Sequence, residues 1–187
     1  MPKSTSLSFR VSPEKADALD HLAKGAYLKA LHLLNDTAQA HPEWLDVHVA
    51  LGRVLLKTGK SQRARSVLDR LADLYDEGQI RKSENLKRLA EALSLLGHPK
   101  DANEIFAEAN RLNPEDQDLH IKWGELLLKN HNAAEALQSF ETALKIWPNH
   151  PDALVGKAQI LFRAANNLPK AGAVVEKVLL LNPRHRE

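Results

Sequence analysis

The chain has 187 residues, 43% of them apolar and 27% charged, which is enough apolar material for a buried core and excludes disorder as the overall state. It contains no cysteine, so disulfides, thiolate nucleophiles and thiolate metal sites are excluded. Lys and Arg total 26 against 24 Asp and Glu, a formal charge of +2 that gives no global pull toward nucleic acid or an anionic membrane.

Residues Met1 to Arg10 carry Lys3 with no hydrophobic segment behind it, so they do not form a signal peptide as they stand. No run of 18 or more apolar residues is present to span a bilayer, and no membrane insertion is expected. On this reading a cytoplasmic location is favoured, with a periplasmic one left open if an upstream signal has been removed.

Beyond that start the sequence is periodic. Small residues fall at Ala18, Gly52, Ala90, Gly124 and Ala158, with spacings of 34, 38, 34 and 34. A second series runs through Ala30, Ala64, Ala102, Ala136 and Ala171, spaced 34, 38, 34 and 35. Pro42, Pro114, Pro148 and Pro183 keep the same frame, with Asp76 in the slot where one proline is missing. The frame divides a single domain, 1–187, into approximate repeats 11–44, 45–78, 83–116, 117–150 and 151–184.

Each unit reads as two amphipathic helices. In 45–78, Gly59 serves as the turn between helices and Lys57 as a last-turn cation favoured by the helix dipole. Lys57-Thr58-Gly59-Lys60 lacks both the frame of a phosphate loop and the strand that must precede one. Four extra residues stand ahead of Ser83, where Asp76, Glu77, Gly78 and Gln79 favour a turn and Ile80 is expected to start or extend the following helix. In 117–150, Leu119, Trp123, Leu126 and Leu127 form one face, and Ala136, Leu137, Phe140, Ala143 and Leu144 form the second. His131 and Asn132 stand between them as a polar turn, and the next helix opens near Pro151 and Asp152. Alternating β-branched runs are absent, so essentially no sheet is expected.

An Ala or Gly at a helix crossing lets the two axes approach closely. Leu68, Phe106, Phe140 and Val175 are then expected to fill the gap toward the neighbouring unit. Trp44, Trp123 and Trp147 are expected to pack in the core, although Trp44 and Trp147, beside prolines, could instead anchor a partner.

These residues resemble the tetratricopeptide repeat family, whose unit is a 34-residue helix-turn-helix. The best match has Trp123, Gly124, Leu127, Ala136, Phe140, Ala143 and Pro148, and the unit before it has Leu89, Ala90, Leu93, Ala102, Phe106, Ala109 and Pro114. The resemblance implies an all-α, right-handed superhelical solenoid with a concave groove that binds a peptide or another protein, and no catalysis. The first unit departs from the pattern at Asp17 and Thr37, and the last at Lys157 and at one extra residue around Asn166 to Pro169. The chain stops at Glu187, just after Pro183, where another helix would normally begin. It is read either as a protein that ends there, or as a domain cut from a longer chain or covered by a partner copy.

In the family, the first helix of each unit lines the concave face. Carried over residue by residue, the groove positions are Val49, Arg53 and Leu56, then Lys87 and Glu91. They continue with Ile121, Glu125 and Leu128, and with Val155, Gln159 and Phe162. Val49/Leu56, Ile121/Leu128 and Val155/Phe162 are apolar pairs seven apart, able to make an apolar floor broken by Lys87 and Ser94. The same spacing also suits packing against neighbouring second helices. Glu91 and Glu125 occupy positions where a carboxylate clamp needs Asn, so capture of a C-terminal carboxylate is disfavoured.

The nine histidines are scattered, without a His-Glu-x-x-His run or another convergent set, so no metal or other cofactor is expected. No G-x-S-x-G element or acid pair prepares catalysis. Arg63, Arg65, Arg81, Lys82, Lys87 and Arg88 interleave with acids, which argues against nucleic acid. The expected partner is a protein or peptide, with self-association through the C-terminal repeat as a further expectation. The alternative is a structural, regulatory or oligomerisation segment of a larger protein that captures no peptide.

Overall fold

The computed structural model describes residues 16–18, 20–21, 24–163 and 168–181. Within them, α1 is Tyr27–Ala40, α2 Leu45–Lys57, α3 Ser61–Asp76, α4 Ser83–Leu96 and α5 Pro99–Leu112. They are followed by α6 Gln117–Lys129, α7 Ala133–Ile146, α8 Pro151–Arg163 and α9 Leu168–Leu181. No strand occurs among the described residues, in keeping with an all-α solenoid of helix-turn-helix repeats. Pro183 and, of the stretch Asn166 to Pro169 that holds the extra residue, Asn166 and Asn167 lie outside the described residues.

Turn chemistry sets the helix pairing. Gly97 closes α4 in the left-handed region at φ 85°, and the His98 N–H reaches back to the Leu93 carbonyl at 2.9 Å. His131, in the equivalent slot after α6, takes the same conformation at φ 62° despite its side chain. The next helix is then capped by Asn132, whose side chain accepts from the Glu135 N–H at 3.4 Å.

The small-residue series marks the helix crossings. Ala30, Ala64, Ala90, Ala102 and Ala136 are all fully buried. A Cβ on Gly52 would stand 2.5 Å from the Leu68 side chain, and one on Gly124 would stand 2.8 Å from the Phe140 ring. Only a hydrogen fits in either place. Gly156 belongs to neither series and is still tighter, since a Cβ there would lie 2.3 Å from Phe140 Cζ. The Phe140 ring is therefore held between Gly124 of its own helix pair and Gly156 of the next.

Two compact units divide between Asp73 and Leu74. The core of the first gathers Leu31, Leu34 and Ala38 of α1 with Val47, Leu51, Val54 and Leu55 of α2. Trp44 packs against this cluster and stacks on His41, with ring centroids 3.8 Å apart. In the second unit α4 pairs with α5, α6 with α7 and α8 with α9, and α6 also packs against α8. Tyr75 joins it from the end of α3, donating its hydroxyl hydrogen to Glu108 Oε2 at 2.9 Å.

Three expectations are corrected. Ile80 neither starts nor extends a helix: α3 runs to 16 residues, Gly78 turns the chain at φ 78°, and Ile80 is buried in the connection ahead of α4. Its apolar side chain is drawn into the core by burial alone, without helical backbone. Val175 is exposed and fills no gap against the described helices. Trp147 is 52% exposed and meets His150 edge-on rather than entering the core.

Candidate protein-interaction face

The first helices of the second unit, α4, α6 and α8, carry most of the groove positions read from the sequence. Ile121 (2% exposed) and Leu128 do not reach solvent freely, because they pack in a cluster with Ala153 and Ile160 of α8. Seven residues apart, they face the next first helix in the stack, and that helix covers them. Phe162 lies 34 residues beyond Leu128, in the same register one repeat on, and is 64% exposed. Gln159 and Glu125 are exposed and Val155 is half-buried. In the first unit, Val49 is buried, Leu56 is half-buried against the core, and Arg53 is exposed.

Lys87 and Glu91 are both buried, within an ionic cluster. Lys87 Nζ lies 2.9 Å from Asp116 Oδ2 and 3.0 Å from Asp118 Oδ2, linking α4 to the start of α6. Arg88 pairs with Glu91 and stands 3.7 Å from Asp118. Asp116 has a second duty as the cap of α6, accepting from the Leu119 N–H at 3.1 Å. Lys87 is thus not a free hook for a partner's carboxylate, which would have to displace two acids already seated on it. In the sequence Arg88 is legible only as one of a run of basic residues interleaved with acids, and Asp116 was missed. The signal for Asp116 was present: an acid two residues after Pro114, immediately ahead of a helical pattern.

Burial pushes the Asp118 carboxyl upward, but the adjacent Lys87 charge and hydrogen bond, with Arg88 and Lys122, outweigh it and hold the group below the usual carboxylate range. A group depressed in the folded state stabilises the fold at pH values above its unfolded pKa. That contribution is lost as pH falls through the folded value. Wild-type stability should therefore decline below about pH 4. Asp118→Asn should flatten part of that decline in urea unfolding curves recorded across acid pH, and an unchanged slope would refute the assignment.

The architecture defines a class: within each unit, consecutive helices close on one another at crossings of Gly and Ala, as in helical repeat proteins that bind through extended surfaces. The family profile described as tetratricopeptide repeat matches residues 21–82 and 127–187. The chain belongs to the tetratricopeptide repeat family, whose members are generally non-enzymatic interaction scaffolds.

Among curated relatives, it is 27% identical over 162 residues to Tetratricopeptide repeat protein 21B of Xenopus laevis, covering 87% of this chain and 12% of that protein. It is also 27% identical over 140 residues to the Protein CTR9 homolog of Arabidopsis thaliana, covering 70% of this chain and 12% of the relative. The chain thus spans about a tenth of the length of the curated relatives it matches.

Among solved structures, TTC0263, a thermophilic TPR protein of Thermus thermophilus, aligns with a TM-score of 0.72 at 21% identity, covering 92% of this chain and 91% of that one. YrrB, described as a TPR protein with an unusual peptide-binding site, aligns with a TM-score of 0.56 at 19% identity, covering 92% and 87%. Among the described residues, no helix is long and apolar enough to cross a membrane, and no group of three or more His, Asp or Glu is placed to hold a metal ion.

Proposed function

We propose that this chain is a protein-binding scaffold whose first-helix face takes a peptide or protein segment around Phe162, Gln159, Val155 and Glu125. The exposed Phe162 ring carries the reading. Leu128, its equivalent one repeat earlier, is covered by α8, and the partner supplies to Phe162 the apolar cover that α8 supplies to Leu128. Gln159 and Glu125 then give polar contacts at the rim of an apolar anchor, the usual anatomy of a binding surface. In the first unit, Arg53 and Leu56 form the corresponding face, with Val49 as buried support. Lys87 and Glu91 hold the second unit's first helices together beneath the surface.

The test places a photo-crosslinking amino acid at Gln159 or, as a control, at the exposed Glu104 on α5, in cells that express the protein naturally. A discrete adduct from position 159 that is absent at 104 is the expected result, and it should disappear in Phe162→Asp. That substitution should leave the thermal unfolding midpoint unchanged within error because the ring is exposed. Ile121→Asp, which buries a carboxylate, should instead lower stability by several kcal/mol and serves as the unfolding control. Equal adducts from 159 and 104 would end the proposal.

A chain spanning a tenth of its relatives' length also fits the second reading, an assembly segment of a longer protein. In that case the position-159 adduct would form with another part of the same polypeptide.

A further inference from the structure

Two first helices of the second unit carry opposite charge at their two ends. α6 and α8 open on acids, Asp118 and Asp152, and close on cations, Lys129 and Arg163. Lys129 and Arg163 are 34 residues apart, in one register, and α6 packs against α8, so the two cations share one edge of the face. Lys129 stands one turn beyond Glu125, and Arg163 one turn beyond Gln159, directly after the exposed Phe162. Both cations are exposed, and among the described residues neither is paired with an acid. The two ordinary employments of Lys129 are already filled. Glu125, the acid four residues before it, is held by Lys122 at 3.2 Å. The carbonyls at the end of α6, which a last-turn cation would answer, accept instead from the N–H groups of Asn130 (to Leu126, 3.1 Å), Asn132 (to Leu127, 2.9 Å) and His131 (to Leu128, 3.2 Å).

Exposed cations beside an exposed ring are the complement of an anion beside an apolar group. Resting on the face proposed around Phe162, we infer that the partner segment carries an Asp or Glu next to its apolar anchor. The anchor covers the Phe162 ring, and the carboxylate is received between Arg163 and Lys129. A planar guanidinium offers a carboxylate two parallel N–H donors, and Lys129 adds a point charge beside it. Charge also fixes the sense in which the segment lies: its acid goes to the ends of α6 and α8, away from Asp152 at the start of α8. A nucleic acid does not suit this face, because the acids at the opposite end of both helices would repel the rest of its phosphates.

The test is a selection of random short peptides displayed on phage against the full chain, run in parallel on Phe162→Asp and on the double variant Lys129→Glu/Arg163→Glu. All three positions are exposed, so the variants are expected to fold, and unchanged circular dichroism spectra would verify it. Peptides that bind the wild type and are lost in Phe162→Asp should be enriched in Asp or Glu beside an aromatic or aliphatic residue. In the double variant, Lys or Arg should take the place of that acid. For a selected peptide, fluorescence anisotropy should show about tenfold weaker binding to the wild type once its acid is changed to the amide, a comparison that needs no protein variant, and high salt should narrow the difference. Phe162-dependent peptides with no excess of acid, an amide peptide that binds as tightly as the acid, or an unchanged preference in the double variant would each overturn this inference and leave the Phe162 face standing. No Phe162-dependent peptide at all would remove the face and the inference together.

Discussion

Replacing Phe140 by alanine should cost about 3–5 kcal/mol in urea unfolding, the largest loss expected from any single truncation in the second unit. The ring is 1% exposed and fills two gaps at once, over Gly124 within its own helix pair and over Gly156 in the next. Deleting it leaves a cavity bounded by backbone on both sides, and glycines have no side chain with which to relax into it. The reciprocal change, Gly156→Ala, puts a methyl 2.3–2.6 Å from three ring atoms and should cost about 1–3 kcal/mol through overpacking. Combining Gly156→Ala with Phe140→Leu should recover part of that loss, because the smaller side chain vacates the space the methyl needs. A double-mutant cycle with no coupling would mean that ring and glycine do not share one gap.

The second large effect belongs to Lys87. Lys87→Met keeps the length and apolar stem of the side chain but removes the charge between Asp116 and Asp118. Breaking a buried ion pair by deleting one partner typically costs about 3–5 kcal/mol, and the lower end applies here because Asp118 remains 47% exposed. The pH dependence separates this cause from lost packing. In the wild type, stability falls as acid titrates the depressed Asp118 carboxyl. In Lys87→Met, the Asp118 carboxyl loses the cation that lowers it most and its folded pKa moves back up, so acid removes less of the remaining stability and the deficit shrinks as pH drops. A deficit that stays constant between neutral pH and about pH 4 would assign the loss to packing alone.

The helix pairs were legible in the sequence because their crossings demand small residues: a Cβ at Gly52 or Gly124 has no room, so the period survives as a run of Ala and Gly. Turn positions were legible for a similar reason, with Gly59 and Gly78 in the left-handed region. His131, in the slot of Gly59, was read only as part of a polar turn. The binding face was less legible. Ile121 and Leu128 carry the same seven-residue spacing as Val155 and Phe162, and spacing places a side chain on a helix face without saying what stands opposite it. Only the packing of α6 against α8 separates the covered pair from the exposed ring. Lys87 and Glu91 were legible as charges on a first helix, but their burial depends on Asp116 and Asp118, which reach them from the start of another helix. Gly156 was invisible because its partner Phe140 comes from the preceding repeat.

The buried Ile80 bears on how the chain resists digestion. Arg81 and Lys82 follow it directly, exposed and outside any helix, and would ordinarily be the first bonds a trypsin-like protease cuts. With Ile80 fixed in the interior one residue away, that stretch cannot extend into an enzyme cleft until the anchor lifts out. The rate of nicking there is therefore governed by the free energy of a local opening rather than by the accessibility of the two basic side chains.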